Sequence, residues 1–281
     1  MPTTHAQTTD SSGPEALSSL PGAALDTGRM PGHWLLARLG KRVLRPGGVE
    51  MTRFLLDKLA ISTDDDVVEI APGLGATTRL VLGCEPASYV GVDRDPDAAG
   101  LVETLLDAPN RRVVEASVTD TGLPAASADV AFGEAYLSMQ PDSLKEKSIS
   151  ELARVLRPGG RFALHEVAFR SDEIDDGSRS STMADLTSTI KVNVTPMSPR
   201  AWEALLDRHG LDVVSRRELP LHLLEPRRLL ADEGLPGALR FLRNVLRDRD
   251  ARARVVAMRK AMKSHEDHLQ AIGLVAVRRE V

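Results

Sequence analysis

Among its 281 residues the chain has one cysteine, two tryptophans, two tyrosines and five phenylalanines. Each shortage excludes something. A single cysteine, Cys84, cannot close an internal disulfide or supply a cysteine-rich metal site, and it argues against arsenic or thiolate chemistry. Following the apolar Leu80-Val81-Leu82, Cys84 is expected to be a small buried hydrophobe. With only 3% aromatic residues, stacking platforms for nucleic-acid bases are scarce. No apolar run approaches the length a membrane helix needs, and no basic-then-apolar segment opens the chain. The formal net charge is only −4, with 42% apolar residues, as in an ordinary soluble globule. Together with the near absence of cysteine, this places the chain in a reducing cytoplasm, and no paired carboxylates or His/Cys sets predict a metal.

What is present is a succession of strand-ending signals. Val67-Val68-Glu69-Ile70-Ala71-Pro72-Gly73-Leu74-Gly75-Ala76-Thr77-Thr78 is an apolar strand with an acid near its tip, a two-glycine turn and a helix start. Tyr89-Val90-Gly91-Val92-Asp93 is a second strand ending in a carboxylate, and Val113–Glu115 a third. Ser127–Gly133 is the fourth. Leu156-Arg157-Pro158-Gly159-Gly160 stops a helix and leads directly into a fifth, ending at His165-Glu166. Alternating strands and helices predict an α/β fold with a parallel sheet. A P-loop is excluded because no Gly-Lys-Ser/Thr follows the turn, and Thr78 stands where a dinucleotide fingerprint has its third glycine.

In these motifs the chain resembles the class I S-adenosylmethionine-dependent methyltransferases, in particular the small-molecule enzymes related to the ubiquinone pathway. The resemblance covers about Val67 to Phe169. Ala71 stands where the family has its first glycine. The family implies a Rossmann-like, seven-stranded, mostly parallel sheet with an antiparallel last strand and helices on both faces. It also implies S-adenosylmethionine as cofactor. Carried over residue by residue, Glu69 faces the cofactor's ammonium, and the backbone around Ala71, Gly73 and Gly75 meets its methionine part. Asp93 takes the ribose hydroxyls, with Arg94 beside the adenine. Ser117 and Val118, or Asp120 in a slipped register, reach the base. Gly133 and Glu134 close the site at the fourth strand. The alternative reading of Asp93, a helix cap, is better filled by Asp95 ahead of Pro96.

Methyl transfer from a sulfonium needs a positioned acceptor and, for a hydroxyl or protonated amine, removal of a proton. His165 is the candidate general base, its rival role being a hydrogen bond within the core, to Glu166. His33, Trp34, Tyr136 and Met139 are the candidate acceptor contacts. The Asn/Asp-Pro-Pro-aromatic run of base and glutamine methylases is absent after strand four. The reading is an enzyme methylating an oxygen or nitrogen of a small organic molecule. Its alternatives are an RNA methyltransferase or a non-catalytic binder of the cofactor.

Outside the core, 1–28 is expected to be a disordered tail, and 29–281 one domain. Residues 29–60 form a helical cap with helices near Met30–Leu39 and Val49–Leu59. Residues 170–198 form an irregular, lid-like segment. The interval 223–270 is a helical insertion holding eleven of the chain's 36 Lys and Arg. Its arginines are expected to be a solvated face with pairs such as Asp248–Arg252 and Asp250–Arg254, the alternative being an RNA or anionic-substrate surface. The repeated Val-Leu-Arg-Pro-Gly-Gly, at 43–48 and 155–160, reads as a helix stop used twice. Acceptor and oligomeric state are not legible.

Overall fold

The computed structural model describes Leu20 and residues 25–280. Most of the expected tail, 1–28, lies outside the described residues. The Asp26 carbonyl accepts from the backbone of Arg29 and Met30.

Seven strands form one sheet in the order β3-β2-β1-β4-β5-β7-β6. These are β1 Asp66–Ile70, β2 Ser88–Asp93, β3 Arg111–Glu115, β4 Ala128–Glu134, β5 Leu156–Phe169, β6 Leu211–Pro220 and β7 Leu269–Arg278. The first five pair in parallel, and β7 runs antiparallel between β5 and β6. The central strands are β-branched and covered on both faces, as parallel sheets are. Alternation along β1 divides the core. Val68 and Ile70 join Val92, Leu152 and Trp202 on one face. Val67 joins Tyr89, Phe132, Met51 and Leu55 on the other.

The helices follow their punctuation. Helix α1 is Gly32–Arg38 and α2 Gly48–Leu59, with α3 Thr78–Leu82 behind the glycine turn. Pro96–Glu103 (α4) is capped by Asp95, whose Oδ1 accepts from the backbone of Asp97 and Ala98, with Pro96 in the first turn. Next come α5 Asp142–Val155 and α6 Asp176–Ile190, then α7 Pro199–Arg208, α8 Pro226–Arg247 and α9 Arg249–Ser264. The 170–198 interval is therefore not irregular. Asp175 caps α6, and Met183, Leu186 and Ile190 give it a thin apolar stripe. Its many Ser and Thr mask that period.

The insertion is helical as expected, but α8 breaks at Gly234 (φ 67°, ψ 174°), two residues before Pro236. The expected surface pairs do not form among the described residues. Asp248 instead caps α9 through the Ala251 N–H, and Arg254 donates to the carbonyls of Thr27 and Met30. Lys41, fully buried, pairs with Asp232 and Glu233 at 3.6 and 3.4 Å. Glu233 also accepts from the backbone of Arg42 and Val43, so the insertion is tied to the segment before α2. That segment is no helix stop. In its copy of the repeated string Gly47 and Gly48 take positive φ at the start of α2, whereas the second copy ends α5 and opens β5. Cys84 is exposed, not buried, because the chain leaves the core at Gly83.

Candidate active site

A cavity of about 590 Å³ opens at the carboxyl ends of β1, β2 and β4, the place where an α/β sheet takes ligands. Its floor is the turn after β1. Ala71 sits there at φ 51° with its N–H on the Val92 carbonyl at 2.8 Å, followed by Gly73 at φ 57°. A Cβ on Gly73 would meet no protein atom closer than the Ala71 oxygen at 3.9 Å, so it would project into the cavity. Gly75 is different. It does not line the cavity, and a Cβ there would come within 2.4 Å of Leu105. Its role is helix packing, not the ligand contact expected of it.

Two carboxylates stand at the tips of β1 and β4. Glu69 accepts from Tyr89 Oη at 2.7 Å and Thr78 Oγ1 at 2.8 Å. Burial raises its pKa to about 7, against those two hydroxyls, which favour the ionised form. Glu134 is buried as well, and burial alone would raise it. The charge of Arg45, the His165 bond and the Thr77 hydroxyl outweigh that effect and hold it at about 2. Arg45 Nε lies 3.2 Å from Oε2, while Oε1 takes Thr52 Oγ1 and His165 Nδ1, each at 2.7 Å. Thr77 closes on Oε2. Three hydrogen bonds and the charge of Arg45, whose Nε–H is given to Thr52 Oγ1 at 2.7 Å, make Glu134 a poor base for an acceptor's proton.

Asp93, at the tip of β2, lines the cavity and accepts from the backbone of Gly73 at 3.3 Å and Asp95 at 3.0 Å. Burial raises its pKa, opposed by those N–H groups. Arg94, Ser117 and Val118 also line the cavity; Asp120 does not. Ser117 Oγ lies 2.8 Å from the hydroxyl of Thr119, which lines the cavity beside it.

His165 is not where a general base is needed. It is fully buried, does not line the cavity, and lies behind Glu134, its partner across the β4–β5 register. Its Nε2 is buried without a partner. The expected His165–Glu166 contact is also absent, since neighbours on a strand point to opposite faces. Glu166 instead accepts three backbone N–H groups, from Tyr136, Leu137 and Ser138 at 2.8–3.0 Å, and so fixes the turn after β4. Gly133 likewise lies beneath the cavity, not in its wall. A Cβ there would meet the Tyr136 ring at 2.4 Å.

The wall facing the glycine turn is apolar and comes from four distant segments. Helix α1 gives His33 and Trp34, and α6 with its exit gives Leu186, Ile190 and Val194. The chain after β6 gives Leu221 and Leu223, and α9 gives Met258 and Met262. The His33 and Trp34 rings pack at a tilt of 58° with their centres 4.7 Å apart. Burial lowers its pKa to about 4 against the opposing charge of Asp95, so the imidazole is neutral at pH 7. Tyr136 and Met139 also reach the cavity, and the Tyr136 hydroxyl is buried with no partner. All four residues expected to touch an acceptor therefore line the same cavity. Arg45, Thr77 and Glu166 were missed. Their only signals were a repeated string, a helix-start threonine and a carboxylate inside an apolar strand.

The methyltransferase domain model matches residues 68–164. An uncharacterised protein of Haemophilus influenzae is 31% identical over 221 residues, 77% of this chain and 86% of that protein. An uncharacterised methyltransferase of Synechocystis is 30% identical over 133 residues, 47% of this chain and 61% of that one. Among solved structures, phosphoethanolamine N-methyltransferase 2 of Haemonchus contortus, with phosphomonomethylethanolamine and S-adenosylhomocysteine, superposes with a TM-score of 0.67 at 13% identity. That match covers 89% of this chain and 58% of the nematode enzyme.

Proposed function

This chain belongs to the class I S-adenosylmethionine-dependent methyltransferases, and from that premise we propose that it methylates an oxygen or nitrogen of a small organic acceptor with an apolar body. The observation that carries this reading is the enclosure of the cavity. Leu186, Ile190, Leu223, Met258 and Met262 face the glycine turn across a space of about 590 Å³, within the range of roughly 300–1,000 Å³ typical of small-molecule sites. That wall suits an apolar body, and its enclosure disfavours a polymer. No helix among the described residues is long and apolar enough to cross a membrane, and the single cysteine suits the reducing cytoplasm, where we place the enzyme.

The residues present fit the cofactor. Gly73 leaves the space a side chain would occupy, and Asp93 offers a carboxylate at the β2 tip. In this reading Asp93 takes the ribose hydroxyls and Glu69 the ammonium. Arg94, Ser117 and Val118 border the base. The bound cofactor supplies an activated methyl group on a sulfonium. The protein's part is to orient the acceptor, exclude water and keep the charge fixed. Glu134, held ionised near 2, and His165 behind it are poorly placed to take a proton from the acceptor, and in this reading Glu69 and Asp93 are committed to the cofactor. The acceptor atom therefore arrives with a lone pair available, as a neutral amine or an ionised hydroxyl. Neutral His33 supplies a hydrogen-bond partner.

Isothermal titration with S-adenosylhomocysteine, NADH and an RNA hairpin tests the reading. Wild type should bind S-adenosylhomocysteine alone, and Asp93→Ala should weaken it by about 10- to 100-fold, the worth of hydrogen bonds to a charged group. Binding of NADH instead would overturn the cofactor, and strongly salt-dependent RNA binding would favour an RNA acceptor. S-adenosylhomocysteine binding without product from any amine or phenol in a screen would leave a non-catalytic binder.

A further inference from the structure

One charged residue stands in the apolar wall of the cavity. Lys191, between Ile190 and Val192 at the exit of α6, is exposed and lines the cavity with both neighbours, so it stands at the mouth. The carboxylates of the lining lie on the facing side, Glu69, Asp93 and Glu134 at the tips of β1, β2 and β4 and Asp95 just past β2. The arginines of the lining lie beside Asp93 or in the segment before α2. Among the described residues no hydrogen bond or ion pair engages the Lys191 ammonium. The nearest acid along α6, Asp185, is taken by His265 Nε2 at 2.9 Å. Nor does the helix end call for a lysine here. Position 191 is left-handed at φ 61°, where glycine closes a helix without strain.

The polar groups that share this wall, His33 and Trp34, are neutral. The wall is therefore apolar with a single positive charge at its edge and no acid to offset it. A cleft charged with one sign and bounded by apolar surface concentrates its field on what enters, drawing an anion and repelling a cation. We propose that the acceptor is an amphipathic acid, whose apolar body lies along α6 and α9 and whose carboxylate pairs with Lys191 at the mouth. The methyl-accepting atom then lies at the other end of the molecule, toward the glycine turn. One ammonium with no guanidinium beside it in this wall matches one negative charge, which favours a carboxylate over a phosphate dianion. The product keeps its carboxylate, because that group is held away from the transferred methyl. An acceptor with a cationic outer end is rejected by the same charge. This assignment rests on the methyltransferase reading above and names the acceptor class within it.

Calorimetric titration of the full chain, saturated with S-adenosylhomocysteine, tests it with two matched series of probes. One is octanoate, octanamide and octylammonium; the other carries a phenylpropyl body with the same three ends. In each series the carboxylate should bind best, the amide about fivefold more weakly, the upper worth of an ion pair at an exposed site, and the ammonium weakest. Lys191→Gln should remove the preference of carboxylate over amide, and Lys191→Glu should make the ammonium the best ligand of each series. The wild-type preference should also fade in about 1 M salt, where charges more than about 3 Å apart are screened. A wild type that binds no probe, or that binds amide as well as carboxylate, would overturn the proposal. So would a carboxylate preference that survives both substitutions, or one that salt leaves unchanged. Titration with S-adenosylhomocysteine comes first and separates the two readings: a wild type that does not bind it overturns the methyltransferase reading itself, whereas binding followed by indifference to the charge of the probe overturns only the acceptor class.

Discussion

The tips of β1 and β4 lie side by side in the sheet, and each carries a buried glutamate facing the same cavity. They are held at opposite ends of the carboxylate range, Glu69 near 7 and Glu134 near 2. Burial pushes both the same way. What separates them is the company: neutral hydroxyls at β1, against a guanidinium, an imidazole and two hydroxyls at β4. Depth in a fold therefore does not fix a carboxylate's charge; the donors brought to it do. The β1 tip is left able to gain stabilisation from a cation that arrives later, and the β4 tip is already neutralised.

Arg45→Met should break this contrast most severely. It strips Glu134 of its cation and drives it toward the Glu69 condition, at a cost of about 3–5 kcal/mol for a broken buried pair, read by urea denaturation at pH 7. The sign with pH follows from a folded-state pKa lying below the unfolded one. Glu134 stabilises the fold above the ordinary carboxylate range, and this is lost as pH falls toward 2. The gap between variant and wild type should shrink over that acid interval, and a gap independent of pH would mean that Arg45 acts by packing alone.

Glu69→Gln sharpens the contrast with the opposite sign. A carboxylate whose folded pKa is raised destabilises the fold as pH climbs through about 7. The neutral variant should therefore be more stable than wild type by about 1–2 kcal/mol at pH 8, with the gain vanishing near pH 5. If Glu69 meets the ammonium, the same variant binds S-adenosylhomocysteine about tenfold more weakly above pH 7. Unchanged affinity would remove that role. The smallest effect belongs to Ala71→Gly. Ala71 holds the left-handed conformation at φ 51° without a glycine's freedom, which costs about 1 kcal/mol. The substitution should raise Tm by a degree or more, and a lower Tm would show that the methyl group contributes more packing than strain.

The β1 tip was largely readable and the β4 tip was not. Glu69, Gly73 and Asp93 lie within a few residues of strand ends and turns that announce themselves locally. Gly75 was misread because close helix packing and close ligand approach both demand a glycine. His165 was misread for a different reason. Nothing in Leu164-His165-Glu166-Val167 tells that His165 turns to Glu134 and Glu166 to the turn after β4, because the side each neighbour takes depends on register. The α6 helix escaped notice because its apolar residues are few among Ser and Thr.

The sequence by itself determined the succession of core strands along the chain, the glycine turn after β1 and the cap at Asp95. Each is a short-range matter of residue period and backbone freedom, settled within a dozen residues. The tertiary structure alone decided that Thr52 reaches Glu134 across 82 residues of chain. It alone decided that Lys41 fastens the insertion, and that α1, α6 and α9 converge on one apolar wall. Such contacts carry no local signature because either side chain would suit many partners. Packing around the sheet chooses among them, and with them the charge of the site and the shape of its acceptor.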